Sequence, residues 1–108
     1  MQTGDIVLIP FPFSELTNVK IRPAIVVTET KDKYKDLILA AVSSQVSEKI
    51  SAVEIIIEPD SLNGLRMKSV IKVDRIFTLK SEKLIASLGK LNTGQLINFR
   101  FIFKSLVD

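Results

Sequence analysis

Apolar and polar residues change rhythm along this chain. Residues 5–9 form a short apolar run closed by Pro10, residues 23–28 carry Ala24, Ile25, Val26 and Val27 in succession, and residues 37–42 are apolar on both faces. Short, β-branched runs of this kind predict strands. Residues 53–57 and 69–73 continue the series to about five strands. The stretches between them, residues 14–20, 29–36 and the run Pro59-Asp60-Ser61-Leu62-Asn63-Gly64, are polar and carry turn formers. Linkers this short leave no room for helical crossovers. Neighbouring strands should therefore pair mostly antiparallel and close into a small barrel or a strongly bent sheet.

After Thr78 the period lengthens. Ser81 can cap a short helix through Ser87 that ends at Gly89, with Leu84, Ile85 and Leu88 on its apolar side. A longer helix is expected from Asn92 or Thr93, where Gln95 can complete a capping arrangement and Leu96, Phe99, Phe103 and Leu106 form a core-facing stripe. Phe99, Phe101 and Phe103 also alternate, so residues 98–104 stay open to a strand reading. No repeat, low-complexity tract or linker interrupts the 108 residues, which predicts a single mainly β domain with a C-terminal helix.

Composition narrows the function more than the fold. With 46% hydrophobic and 25% charged residues the chain is expected to be globular. No apolar run is long enough to span a bilayer, and the first residues lack a basic segment followed by an apolar stretch and a cleavage site. A cytoplasmic protein without a membrane partner is expected. There is no Cys and no His, which removes disulfides, thiol nucleophiles, imidazole acid–base chemistry and the two commonest zinc ligands together. Chemistry must then come from carboxylates, Arg, Lys, Ser, Thr, the single Tyr34 or the backbone, and no metal or cofactor is expected. Residues 1–59 carry six Lys/Arg against eight Asp/Glu, whereas residues 60–108 carry nine against four. The basic second half suits a polyanion such as RNA, although surplus Lys also serves solubility.

The most informative stretch runs Gly4-Asp5-Ile6-Val7-Leu8-Ile9-Pro10-Phe11-Pro12-Phe13 and, after a variable loop, Lys20-Ile21-Arg22-Pro23-Ala24-Ile25-Val26-Val27. It resembles the opening of PemK/MazF toxins, in which a Gly-Asp strand and a variable loop precede an Arg-Pro at the start of the second strand. The resemblance continues through Ala40-Ala41-Val42-Ser43-Ser44-Gln45 and Ser69-Val70-Ile71-Lys72-Val73-Asp74-Arg75-Ile76 into Leu88-Gly89-Lys90-Leu91, so it covers nearly the whole chain. It implies an SH3-like small barrel of the CcdB/PemK/MazF type, usually a homodimer. It further implies metal-independent cleavage of single-stranded RNA such as mRNA by a toxin that a cognate antitoxin holds silent.

Cutting RNA by its own 2′-hydroxyl needs a base for the 2′ proton, a cation for the phosphorane and an acid for the 5′ oxygen. The resemblance gives the leading roles to Arg22, Ser43 and Asp74. Arg22 matches the Arg before Pro, implying phosphate binding and possible proton donation, and Pro23 biases it toward an extended backbone. Read alone, it is an ordinary Arg at a strand start. Ser43 falls where the family commonly has Thr, and its hydroxyl suits a non-bridging phosphate oxygen, while a strand-ending polar residue is the alternative. Lys72 and Asp74 alternate around Val73 and would share a face, as supporting cation and base or as a surface ion pair.

Substrate-binding candidates are Lys72, Lys20, Gln45, Phe11, Phe13 and Arg75. Phe11 and Phe13 could stack on unpaired bases or be core. Arg75 replaces a Gln often found after the acid and would point to the other side of a regular strand. The loop His of some members is absent; Ser14, Glu15, Thr17, Asn18 and Lys20 occupy that segment. Two other readings stay open: a non-catalytic toxin that clamps a protein such as DNA gyrase, and a barrel that binds RNA or antitoxin without cutting. The gyrase-directed relatives rely on a Trp-containing tail, and this chain has no Trp.

Overall fold

The computed structural model describes residues 1–11 and 20–108. Among these residues six strands and one α-helix follow in chain order: β1 (Asp5–Pro10), β2 (Ile21–Glu29), β3 (Leu37–Ser43), β4 (Glu54–Ile57), β5 (Ser69–Leu79), β6 (Ala86–Lys90) and α1 (Thr93–Ser105). The strands form one antiparallel sheet in the order β4-β5-β3-β2-β1-β6. The mainly β architecture with a C-terminal helix is the one the patterning predicts, and the sheet is curved into a half-barrel.

Curvature has identifiable causes. The β1–β6, β2–β3 and β3–β5 ladders each contain a register shift. The largest is in β5, where Ala40 pairs with Ile76 but its neighbour Ala41 pairs with Lys72, leaving Val73, Asp74 and Arg75 without a partner in β3. Extra residues on one strand bend it and increase its twist. The edges β4 and β6 then meet through a loop instead of a ladder: the Lys90 amide donates to the Leu62 carbonyl at 3.1 Å. Asn63 holds that loop, with its carbonyl oxygen accepting from the Asp60 and Leu65 amides and its amide donating to the Glu58 carbonyl. Fully buried and satisfied on both ends, it is an internal strut.

Gly89 makes this closure possible, because a side chain there would collide with the Leu62 carbonyl and the Asn63 backbone. The same glycine explains a correction. A helix over residues 81–87 ending at Gly89 does not form; a single 3-10 turn at Ser81–Lys83 leads into β6, which pairs with β1. Close approach, and not a helix end, is what Gly89 supplies. Leu84 and Leu88, which a helix would stack on one side, pack into different clusters.

Strand alternation divides the core in two. Ile6, Ile25, Val27, Ala40, Val42, Ile71 and Val73 point to the side covered by α1, where Phe99 and Ile102 are buried among them. Val7, Ile9, Ala24, Val26, Leu37, Leu39 and Leu79 form a second buried set on the other side. This two-sided burial is why β2 and β3 read as unbroken apolar runs. The helix starts as expected, with Asn92 accepting from the Gln95 amide and Gln95 accepting from the Asn92 amide. Leu96, Phe103 and Leu106 pack on the first cluster, while Phe101 is 72% exposed, so the strand reading of residues 98–104 is not adopted.

Candidate functional site

Arg22 lies near the start of β2, opposite Ile9 in β1. Pro23 follows it and holds the backbone extended. The β2–β3 ladder pairs Ala24 with Ala41. Continued two residues outward, that register sets Arg22 opposite Ser43, where directly opposed side chains start roughly 5 Å apart. By alternation both point to the side of Ala24 and Ala41, away from α1. Two residues far apart in sequence are thus brought to one spot by the register.

The Arg22 guanidinium is half-buried and carries no ion pair or hydrogen bond to any other described residue; its Nε is buried without a partner. Its one defined contact is the ring of Phe11, with the guanidinium carbon 5.0 Å from the ring centroid. Ser43 is equally uncommitted as a donor. Its Oγ accepts from the Gln45 amide at 3.1 Å, which leaves the hydroxyl hydrogen available for an acceptor such as a phosphate oxygen. The pair therefore offers a cation and a hydroxyl donor to an anion from one face.

Lys72 stands diagonally from Ser43, since Ser43 pairs with Val70 and Ala41 with Lys72. It is not a free cation. Its Nζ is 3.4 Å from a carboxylate oxygen of Glu54, the residue opposite it in β4. The Ser51 amide, donating to Glu54 at 2.8 Å, holds that carboxyl below its ordinary value; partial burial opposes the shift and Lys72 adds to it. Asp74 is exposed and sits in the β5 bulge, between the partners of Ala41 and Ala40, with no residue of β3 opposite it. The register sets Arg22 and Ser43 together, and it fixes no place for Asp74 beside them. Arg75, next in the bulge, is exposed, as are Gln45 and Lys20. Phe13 and the loop residues Ser14, Glu15, Thr17 and Asn18 lie outside the described residues.

A cleft of about 590 Å³ opens at the end of the strands, lined by Leu8, Ile21, Pro23, Val42, Leu65 and Leu88 with Lys20, Arg22 and Arg66 among its polar residues. It includes Ser44 but neither Ser43 nor Asp74. Its strand-borne apolar residues alternate with Arg22 and Ser43, yet Arg22 itself lines the cleft, so the cleft and the pair meet at that residue. Arg66 and Glu54 were not legible as site neighbours. Arg66 reaches the cleft only because the loop after β4 closes against β6, and Glu54 reaches Lys72 only through a strand register. Among the described residues no group of acidic side chains gathers in a way that could hold a metal ion, and no helix is long and apolar enough to cross a membrane.

The sequence from residue 2 to residue 100 matches the model of the PemK-like, MazF-like toxins of type II toxin–antitoxin systems. The chain belongs to this family. Among solved structures, the Mycobacterium tuberculosis toxin MazF-mt6 superposes with a TM-score of 0.73 at 21% identity, covering 96% of each chain. An endoribonuclease in complex with its cognate antitoxin from a mycobacterial species superposes with a TM-score of 0.72 at 12% identity, covering 99% of this chain and 94% of that one. At such identities the superpositions establish the MazF-like barrel fold. No curated protein matches the sequence. The β2–β3 register sets the Arg-Pro at the mouth of β2 beside the Ala-Ala-Val-Ser end of β3.

Proposed function

We propose that this PemK/MazF-like toxin is an endoribonuclease that cuts single-stranded RNA without a metal, and that a cognate antitoxin silences it. The observation that carries the proposal is the uncommitted Arg22 guanidinium opposite the uncommitted Ser43 hydroxyl on one face of neighbouring strands. A phosphate between them would receive charge-assisted hydrogen bonds from Arg22 and one from Ser43, and both would strengthen as charge builds on the non-bridging oxygens. The 2′-hydroxyl gives its proton to solvent water and its oxygen attacks phosphorus; the bond to the 5′-oxygen breaks, that oxygen takes a proton from Arg22, which solvent reprotonates, and a 2′,3′-cyclic phosphate and a 5′-hydroxyl result. The basic second half of the chain favours the polyanion's approach.

Catalysis in this reading rests on charge stabilisation, usually the largest single contribution to such reactions. Asp74, apart from the pair, belongs on the flank of the bound RNA. The antitoxin follows from family membership.

The test is cleavage of a single-stranded RNA in the presence of EDTA. Cutting by the native chain that falls about 10²-fold or more in Arg22→Ala, with an unchanged circular dichroism spectrum, supports the proposal; cutting indifferent to Arg22 rejects the site. The lack of a carboxylate held in register beside the pair favours one second reading, a barrel that binds RNA without cutting it. Retention of RNA on a filter with no product formed would point there.

A further inference from the structure

We propose that Phe11 is a positioning residue whose ring carries the Arg22 guanidinium and fixes where it points. The inference rests on the reading of Arg22 as the phosphate-binding cation. It replaces the expectation that Phe11 is a platform for a nucleobase.

The backbone places the ring. Phe11 follows the last residue of β1, and its amide donates to the Lys20 carbonyl at 2.7 Å, so strand-like pairing continues one step beyond Pro10 and Ile21. Alternation puts Phe11 on the face of Ile9 and Arg22, diagonal to Arg22 across the ladder. A diagonal neighbour is within reach of long and aromatic side chains. The guanidinium carbon stands 5.0 Å from the ring centroid, inside the range of cation–π attraction.

A second observation bears on the same point. Arg22 Nε is buried and has no hydrogen-bond partner, although buried arginine nitrogens are ordinarily satisfied. No carboxylate, carbonyl or hydroxyl among the described residues orients this side chain; the ring does. An aromatic face attracts the cation without occupying its N–H donors, whereas a carboxylate would neutralise it, as Glu54 does Lys72. The arrangement keeps Arg22 charged, ordered and unspent until a phosphate arrives. Without the ring, Arg22 would sample several rotamers and present the right one part of the time.

Two measurements test this. In the native chain the Arg22 Nε–Hε resonance should be shifted by the aromatic ring and slow to exchange with water. It should move to the position of a solvated arginine in Phe11→Leu and stay near its native position in Phe11→Tyr, which keeps an aromatic face. In RNA cleavage, Phe11→Leu should lower kcat roughly 3- to 30-fold, the factor that corresponds to a cation–π contact, with KM changed less than about twofold and Phe11→Tyr near native. Added to Arg22→Ala, Phe11→Leu should bring no further loss, whereas a base platform would be lost equally in both backgrounds. An Arg22 resonance indifferent to Phe11→Leu, or an equal loss with and without Arg22, overturns the proposal. A native chain that cuts no RNA would defeat the nuclease reading alone, because the resonance still reports whether Phe11 holds Arg22.

Discussion

Arg22 and Asp74 sit on one curved sheet but on two kinds of backbone. Arg22 belongs to the β1–β2 ladder opposite Ile9, two residues beyond the Ala24–Ala41 pair of the β2–β3 ladder, and its side-chain direction follows from the alternation of its strand. Asp74 belongs to the stretch of β5 where the register jumps from Lys72 to Ile76, and no residue of β3 stands opposite it. A regular ladder turns sequence spacing into geometry, so a hydroxyl on one strand can be kept opposite a cation on another. A bulge breaks that relation while bending the barrel. The difference also appears in the electrostatics: Arg22 is held by a ring that leaves its donors unused, whereas Lys72, just before the bulge, is tied to Glu54.

The largest effect should come from removing the ladder-borne cation. Arg22→Ala is expected to lower RNA cleavage by about 10²- to 10³-fold, the loss typical of one charge-stabilising donor, with the thermal midpoint little changed because the guanidinium has no hydrogen-bonded partner to leave behind. Single-turnover cleavage and calorimetry check both halves. Ser43→Ala should cost less, roughly tenfold, because a neutral hydroxyl contributes less than a cation; Ser43→Thr should restore most of the rate.

At the border of the bulge, Glu54→Gln should act on acid stability before it acts on rate. Glu54 is held below its ordinary value of 4.5, so its stabilising contribution is complete above that pH and is lost as pH falls through the lower folded value. Urea unfolding between about pH 3 and pH 6 should therefore show a shallower acid-side decline in Glu54→Gln than in the native chain. The smallest effect is expected in the bulge itself. Asp74→Asn should change cleavage by less than about threefold, because the charge builds against Arg22 and Ser43 and no β3 residue holds the bulge carboxylate in register with them. A loss of 10²-fold or more in that variant would show that the bulge closes onto the substrate and would erase the contrast.

How much of this was legible follows the same division. The apolar runs of β1, β2 and β3, the capping of α1 by Asn92 and Gln95 and the stripe from Leu96 to Leu106 obey local rules, so a reader of the sequence can place them. The continuation of β5 to Leu79 and the existence of β6 were not visible, because both depend on partners distant in sequence: β5 on β3, β6 on the free edge of β1. Gly89 read as a helix end since a glycine's local signal is the same whether it caps a helix or admits a neighbouring carbonyl. At the site, Arg22 and Ser43 were named through family positions at strand ends. Lys72 and Asp74 flank the buried Val73 as alternation expects, but the bulge leaves Asp74 without a β3 partner, and the partner Lys72 does have, Glu54, lies on a strand whose register the sequence does not announce.

A structure of the chain with a single-stranded RNA blocked against cleavage by 2′-O-methyl groups would test the central claim most directly. One phosphate should lie within hydrogen-bonding distance of both the Arg22 guanidinium and Ser43 Oγ, with the guanidinium still over the Phe11 ring. An RNA strand seated on the Asp74–Arg75 bulge, with no phosphate at Arg22, would contradict it.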